Sequence, residues 1–182
     1  QSQAALDKST EAAFGDFARQ LRQTVAAQKE MLKIEQAPYL DLGAEFDSLV
    51  SISKVVGVRV MEDRLIVNTT DLFCTDPRTK IVHWIGPFEI TISTNKITWL
   101  NKAEHAQSLK MNAPHVNSSG EACMGNMKDV FSTLITQRQF AACVEAAIAF
   151  VEAVNVDDTW GKNINNWPVA NSAMLAQNQA RG

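Results

Sequence analysis
From residue 7 to residue 36, Phe14, Phe17, Leu21, Val25 and Leu32 recur at steps of about three or four, up to seven. That spacing predicts a long amphipathic helix with a narrow apolar stripe. Asp7, Ser9 and Thr10 suit its start, and Pro38 stops it. Such a helix either packs on its own domain or docks a partner, a second copy included. Residues 44–53 read as a second, short helix. The period then changes. Val56, Val58 and Val60 alternate with Gly57 and Arg59, Glu62-Asp63 makes a turn, and residues 64–70 return as a strand. Residues 71–80 (DLFCTDPRTK) read as a loop. Residues 81–85 and 88–93 read as two strands separated by Gly86-Pro87, and residues 97–100 as a short edge strand.

Past Leu100 the regular pattern stops. Residues 101–127 are rich in Asn, Lys, Ser and Gly, with Leu109, Met111, Val116 and Met124 as apolar punctuation. A stretch of that length inside a domain is expected to be an ordered, functional loop. Residues 139–154 are Ala-rich and nearly all apolar, which predicts a buried helix. The expected architecture is therefore α+β, an antiparallel four-stranded meander flanked by helices. Its parts are an N-terminal helix (1–38), a main domain (44–168) and a C-terminal tail or short helix (169–182).

Composition narrows the function. A net charge of −3 and a pI near 5.6 disfavour nucleic acid as the main partner, since phosphate binding needs a basic face. The longest apolar run, around 140–154, is interrupted by Glu145 and Glu152 and is too short to span a bilayer, so no membrane association is expected. No basic start followed by an apolar segment marks a secretory signal. Three cysteines, Cys74, Cys123 and Cys143, make no disulfide framework and suit a reducing cytoplasm.

Cys123 is the informative one. It lies in the irregular stretch, eight residues after His115. Loops held on a sheet are where reactive groups are displayed, and a thiolate attacks carbonyls and thioesters well. Cys143 falls in the apolar helix, where a cysteine behaves as a small hydrophobe. Cys74, in the expected polar loop, reads as an incidental thiol. A zinc site would draw on these cysteines with His83, His105 and His115, yet none of them forms a CxxC or HxxxH pair. No glycine-rich phosphate loop or GxSxG elbow is present. Neither a metal nor a cofactor is expected.

The segment Ala113-Pro114-His115 … Gly120-Glu121-Ala122-Cys123 resembles the ubiquitin-conjugating enzyme family. That family carries His-Pro-Asn and then a glycine three residues before its active cysteine. Here Pro114 and Gly120 stand at matching distances, with Ala113 in the place of the family's His and His115 in the place of its Asn. Downstream, the apolar helix ends in Val154-Asn155-Val156-Asp157-Asp158, similar to the family's Pro-Asn-x-Asp-Asp loop. The order of a short helix, a meander and the cysteine loop agrees over roughly 44–168. The Trp-x-Pro that follows the family's cysteine is missing, and the long N-terminal helix is an addition. The pattern is similar to divergent prokaryotic members.

The resemblance implies a ubiquitin-conjugating-type fold and a cytoplasmic transferase of a bacterial ubiquitination-like pathway, with a link to antiviral defence. Cys123 would carry a ubiquitin-like protein as a thioester, received from an adenylating activating enzyme, and pass it to the acceptor lysine of a protein substrate. His115 would either donate to the oxyanion or brace the loop. Asp158 would orient the incoming amine, or is a solvated acid at a helix end. Asn126 would donate near the thioester. Two other readings compete: a non-catalytic binding module of the same fold, and an interaction protein that dimerises through its N-terminal helix.

Overall fold
Asp41 opens the first helix of the domain. In the computed structural model, which describes residues 41–156 and 161–180, its Oδ1 accepts from the N–H groups of Gly43 (3.0 Å) and Ala44 (3.1 Å). Those donors have no partner within the helix, and the short acidic side chain supplies one. The helix expected over 7–36 lies outside the described residues, as does Asp158. Helix α1 (Leu42–Ser51) buries Leu49 and leaves Leu42, Phe46 and Val50 exposed.

Four antiparallel strands follow in the order β1 (Val55–Met61), β2 (Arg64–Thr75), β3 (Val82–Ser93) and β4 (Ile97–Asn101). The four-stranded meander is thus present, with two corrections. The stretch Asp71–Thr75, expected to be loop, continues β2, where Leu72, Phe73 and Cys74 are buried. Gly86-Pro87, expected to break the chain into two strands, lies inside a single β3. The reason is a pair of irregularities in the β2–β3 register, one between Asn68 and Asp71 and one between Leu72 and Phe73. A bulge shifts the period-2 alternation by one residue. Accordingly His83 and Ile85 are buried before it, and Phe88, Ile90 and Ile92 after it. Proline, which gives no ladder N–H, is tolerated at such a bulge. Gly86 has φ +121°, and a Cβ there would stand 2.8 Å from both Ala103 Cβ and Asn101 Oδ1.

The stretch expected to be irregular holds a one-and-a-half-turn helix α2 (Glu104–Leu109) and a small hairpin, β5 (Met111–Ala113) with β6 (Val116–Asn117). Helix α3 (Met127–Thr136) follows, then α4 (Phe140–Glu152), the buried apolar helix. The first turn of α4 gets no side-chain cap from Gln139. Glu45 of α1 serves instead, accepting from the Ala141 N–H at 2.6 Å. A carboxylate at a helix N-terminus also meets the positive end of its dipole. Lys54 pairs with Glu152 at 2.6 Å, tying the α1–β1 link to the other end of α4.

Val144, Ala147, Ile148 and Val151 of α4 pack on Leu65, Val67, Ile90 and Trp99 of the sheet in one core. Trp99 is fully buried; its Nε1 donates to the Ala147 carbonyl at 3.0 Å, and its ring lies against Phe131 and Phe150. At the other end of β3, residues Trp167–Ala170 run along Val82–Trp84. The Trp84 N–H donates to the Pro168 carbonyl, and the Ala170 N–H to that of Val82. Helix α5 (Ser172–Gln179) ends the described chain. Among the described residues no helix is long and apolar enough to cross a membrane.

Candidate functional site around Cys123
Three asparagines hold the segment that leads to Cys123. Asn101, at the end of β4, and Asn112, in β5, are both buried. The Asn101 N–H donates to Asn112 Oδ1 (2.8 Å), and Asn101 Nδ2 donates to the carbonyls of Ile85 (2.8 Å) and Asn112 (2.9 Å). Asn112 Nδ2 in turn donates to the Asn117 carbonyl at 2.7 Å. Buried amides are tolerated only when paired in this way, and the pairing fixes the hairpin on the end of the sheet.

Asn117 then shapes the turn. Its Oδ1 accepts from Ser119 N (2.9 Å), Ser119 Oγ (2.7 Å) and Glu121 N (3.0 Å). Its own N–H donates to the Glu121 carbonyl at 2.9 Å. Gly120 sits in the middle with φ +80°, and its carbonyl accepts from the Trp99 N–H at 3.0 Å. A Cβ at position 120 would stand 2.9 Å from the Trp99 carbonyl oxygen. Glycine is therefore what lets the turn seal the outer edge of β4. Outside, Lys96 pairs with Glu121 at 2.7 Å and holds that carboxyl below its usual range.

Val116 next bridges Ala122 in antiparallel fashion. His115 and Cys123 are the residues flanking this bridged pair at the same end. Ala122 and Met124 are half-buried and pack on the core, while Cys123 between them is exposed. Alternation along an extended segment turns the thiol to solvent. Gly125, at φ +51°, then turns the chain into α3. Asn126, exposed, precedes that helix without capping it through its side chain.

Of the four residues singled out in the sequence, Cys123, His115 and Asn126 lie on this one segment. The fourth, Asp158, is not described. His115 is half-buried, its ring 5.2 Å from that of Phe150, and its Nε2 is 3.3 Å from the Phe150 carbonyl of α4. In the tautomer that carries its proton there, Nε2 donates across the gap and ties the hairpin to α4.

The other two thiols are sealed. Cys143 is buried in α4, and burial pushes its thiol up to about 12. Cys74 is buried in β2 rather than lying in a polar loop, which corrects the reading of it as an incidental loop thiol. Burial, and then the charges of Glu152 and Asp76, push it up to about 12. His83 is also buried and bonds the Trp167 carbonyl through Nδ1 at 2.8 Å. His105 Nε2 lies 2.9 Å from the Ile85 carbonyl. Among the described residues no three His, Cys, Asp or Glu side chains converge as metal ligands do.

Asn112, Asn117 and Trp99 were not singled out by sequence reasoning. The recurrence of asparagine at 101, 112 and 117 in an irregular stretch was the available signal. No family model matches the chain, no curated protein matches it, and no solved structure matches it.

Proposed function
We propose that the chain is a ubiquitin-like protein conjugating enzyme with a ubiquitin-conjugating-type fold, acting in the cytoplasm in a bacterial ubiquitination-like pathway. The observation that carries this reading is the contrast among the thiols. Cys123 is exposed on a segment braced against the sheet edge by Gly120, while Cys74 and Cys143 are buried. The order of elements, a short helix, four antiparallel strands, the cysteine segment and two helices, supports the same reading.

The reaction is transthiolation. Cys123 Sγ loses its proton to solvent and attacks the carbonyl carbon of the incoming thioester. A tetrahedral oxyanion forms, the donor sulfur leaves, and a proton returns to it. The carbonyl stays on Cys123 until an amine of the substrate attacks and releases the thiol. Asn126, three residues beyond Cys123, makes no capping bond with its side chain and would donate near the thioester. The His115–Phe150 bond supports the bracing role for His115 over the oxyanion role. Asp158 would orient the amine.

A synthetic peptide α-thioester tests this without the activating enzyme. The wild type is expected to take the peptide as an adduct that dithiothreitol removes, and Cys123→Ser to form no such adduct. Modification that maps to Cys74 or Cys143 would refute the assignment.

A groove of about 470 Å³ favours a second reading. Leu42, Phe46, Val60, Met61, Ile135 and Phe140 line it, and it opens at the β1–β2 hairpin end of the domain. A non-catalytic binding module would use such a face, and its complexes would survive Cys123→Ser unchanged.

A further inference from the structure
Resting on the proposed transthiolation, we infer that Asn117 is a positioning residue for Cys123, acting as a side-chain latch that Asn112 anchors to the buried end of β4. The side-chain oxygen of Asn117 closes the turn at three donors, on Ser119 and Glu121. Its backbone carbonyl takes both the Gly120 N–H (3.1 Å) and Asn112 Nδ2 (2.7 Å). One residue therefore links the buried amide pair Asn101–Asn112 to every turn residue from Ser119 to Glu121. The turn delivers the Val116–Ala122 bridge, and Cys123 is the next residue.

Two features separate this from a plain stabilising role. The turn residues 117–119 and 121 are exposed, and the three bonds to Asn117 Oδ1 span two or four residues only. The buried cluster of Trp99, Val116 and α4 contains none of the exposed residues 117–119 and 121. Breaking the latch thus loosens residues 118–124 while the domain stays folded. The cost falls on the chemistry, since a misplacement of about 1 Å at a reacting atom costs on the order of 100-fold in rate.

The bond pattern also dictates which substitution rescues. All three bonds at the tip of Asn117 use its oxygen as acceptor, so an aspartate there keeps them, whereas an alanine loses all three.

The test measures two rates on wild type, Asn117→Asp, Asn117→Ala and Ser119→Ala. One is acyl transfer from a peptide α-thioester. The other is alkylation by iodoacetamide, which reports Cys123 because Cys74 and Cys143 are buried with thiols pushed up to about 12. Melting curves monitor the fold. Asn117→Ala is expected to slow transfer by about tenfold or more while remaining folded. Asn117→Asp is expected to stay within about twofold of wild type, and Ser119→Ala, which loses a single donor, to fall between them. Transfer by Asn117→Ala at the wild-type rate overturns the inference, and so does an Asn117→Asp as slow as Asn117→Ala. Should wild type transfer nothing while alkylation responds to Asn117→Ala and is restored by Asn117→Asp, the latch stands and the conjugating function fails.

Discussion

The domain places a cysteine beside a histidine twice, with opposite results. Cys74 and His83 are direct partners across the β2–β3 ladder, so both side chains point to the same side of the sheet. Cys123 and His115 flank the Val116–Ala122 bridge. At the first pair α4 packs on the sheet and the segment Trp167–Ala170 pairs alongside β3, and thiol and imidazole are both buried. The thiol, pushed up to about 12, stays protonated and inert at neutral pH. At the second pair the chain beyond β4 has left the sheet, and alternation along Ala122-Cys123-Met124 turns the sulfur outward. Proximity of the two residue types is common to both pairs. Cover decides which of them is able to react.

The sharpest break of this comparison exchanges the thiols. Cys123→Ser is expected to abolish fast alkylation by iodoacetamide and any thioester adduct, while Cys74→Ala and Cys143→Ala leave both rates at the wild-type level. Mass mapping of the modified peptide checks this. Next in size is Gly120→Ala. A Cβ there combines a left-handed backbone with a 2.9 Å approach to the Trp99 carbonyl, so a loss of about 2–3 kcal/mol is expected in denaturant unfolding. The turn should lift off β4, with faster amide exchange at Trp99. The buried thiols add a pH dependence that shows only in alkali. Both ionise more readily in the unfolded chain, near the usual thiol value of 9.0, than in the folded one, at about 12. Stability is therefore expected to fall as pH rises from about 9 towards 12, and to fall less in Cys74→Ala. Smallest is Lys96→Ala, which removes an exposed ion pair at the turn. Its melting shift should be well below that of Gly120→Ala, because solvent screens the pair.

Much of this was legible in residue order, for physical reasons that differ by element. The apolar run at 139–154 declared α4 because that helix is buried, and the alternation at Val56–Val60 marked β1 through strand-forming residue types, although Val56 and Val60 are exposed there. Residues 71–75 were misread because Asp71 and Asp76 flank a short apolar run with turn-forming chemistry, while the packing that buries Leu72 and Cys74 comes from distant residues on α4. Gly86-Pro87 was misread because a bulge and a chain break draw on the same two residue types. Helix α3 went unread, although Met127, Phe131, Leu134 and Ile135 hold helical spacing; only Phe131 among them is buried. At the proposed site, the Gly120–Cys123 interval marked a segment in which Gly120 takes a positive φ and Cys123 is exposed. The asparagine bracing did not show, since the Asn101–Asn112 bond joins residues eleven apart that only the folded chain brings together.

The central claim is that Cys123 alone among the three cysteines accepts an acyl group. Intact-mass analysis of the protein after incubation with a peptide α-thioester, followed by proteolytic mapping without reductant, measures it directly. One peptide per chain, attached at Cys123 and released by dithiothreitol, is the outcome this account predicts. An adduct on Cys74 or Cys143, or no adduct while Cys123 is freely alkylated, would contradict it.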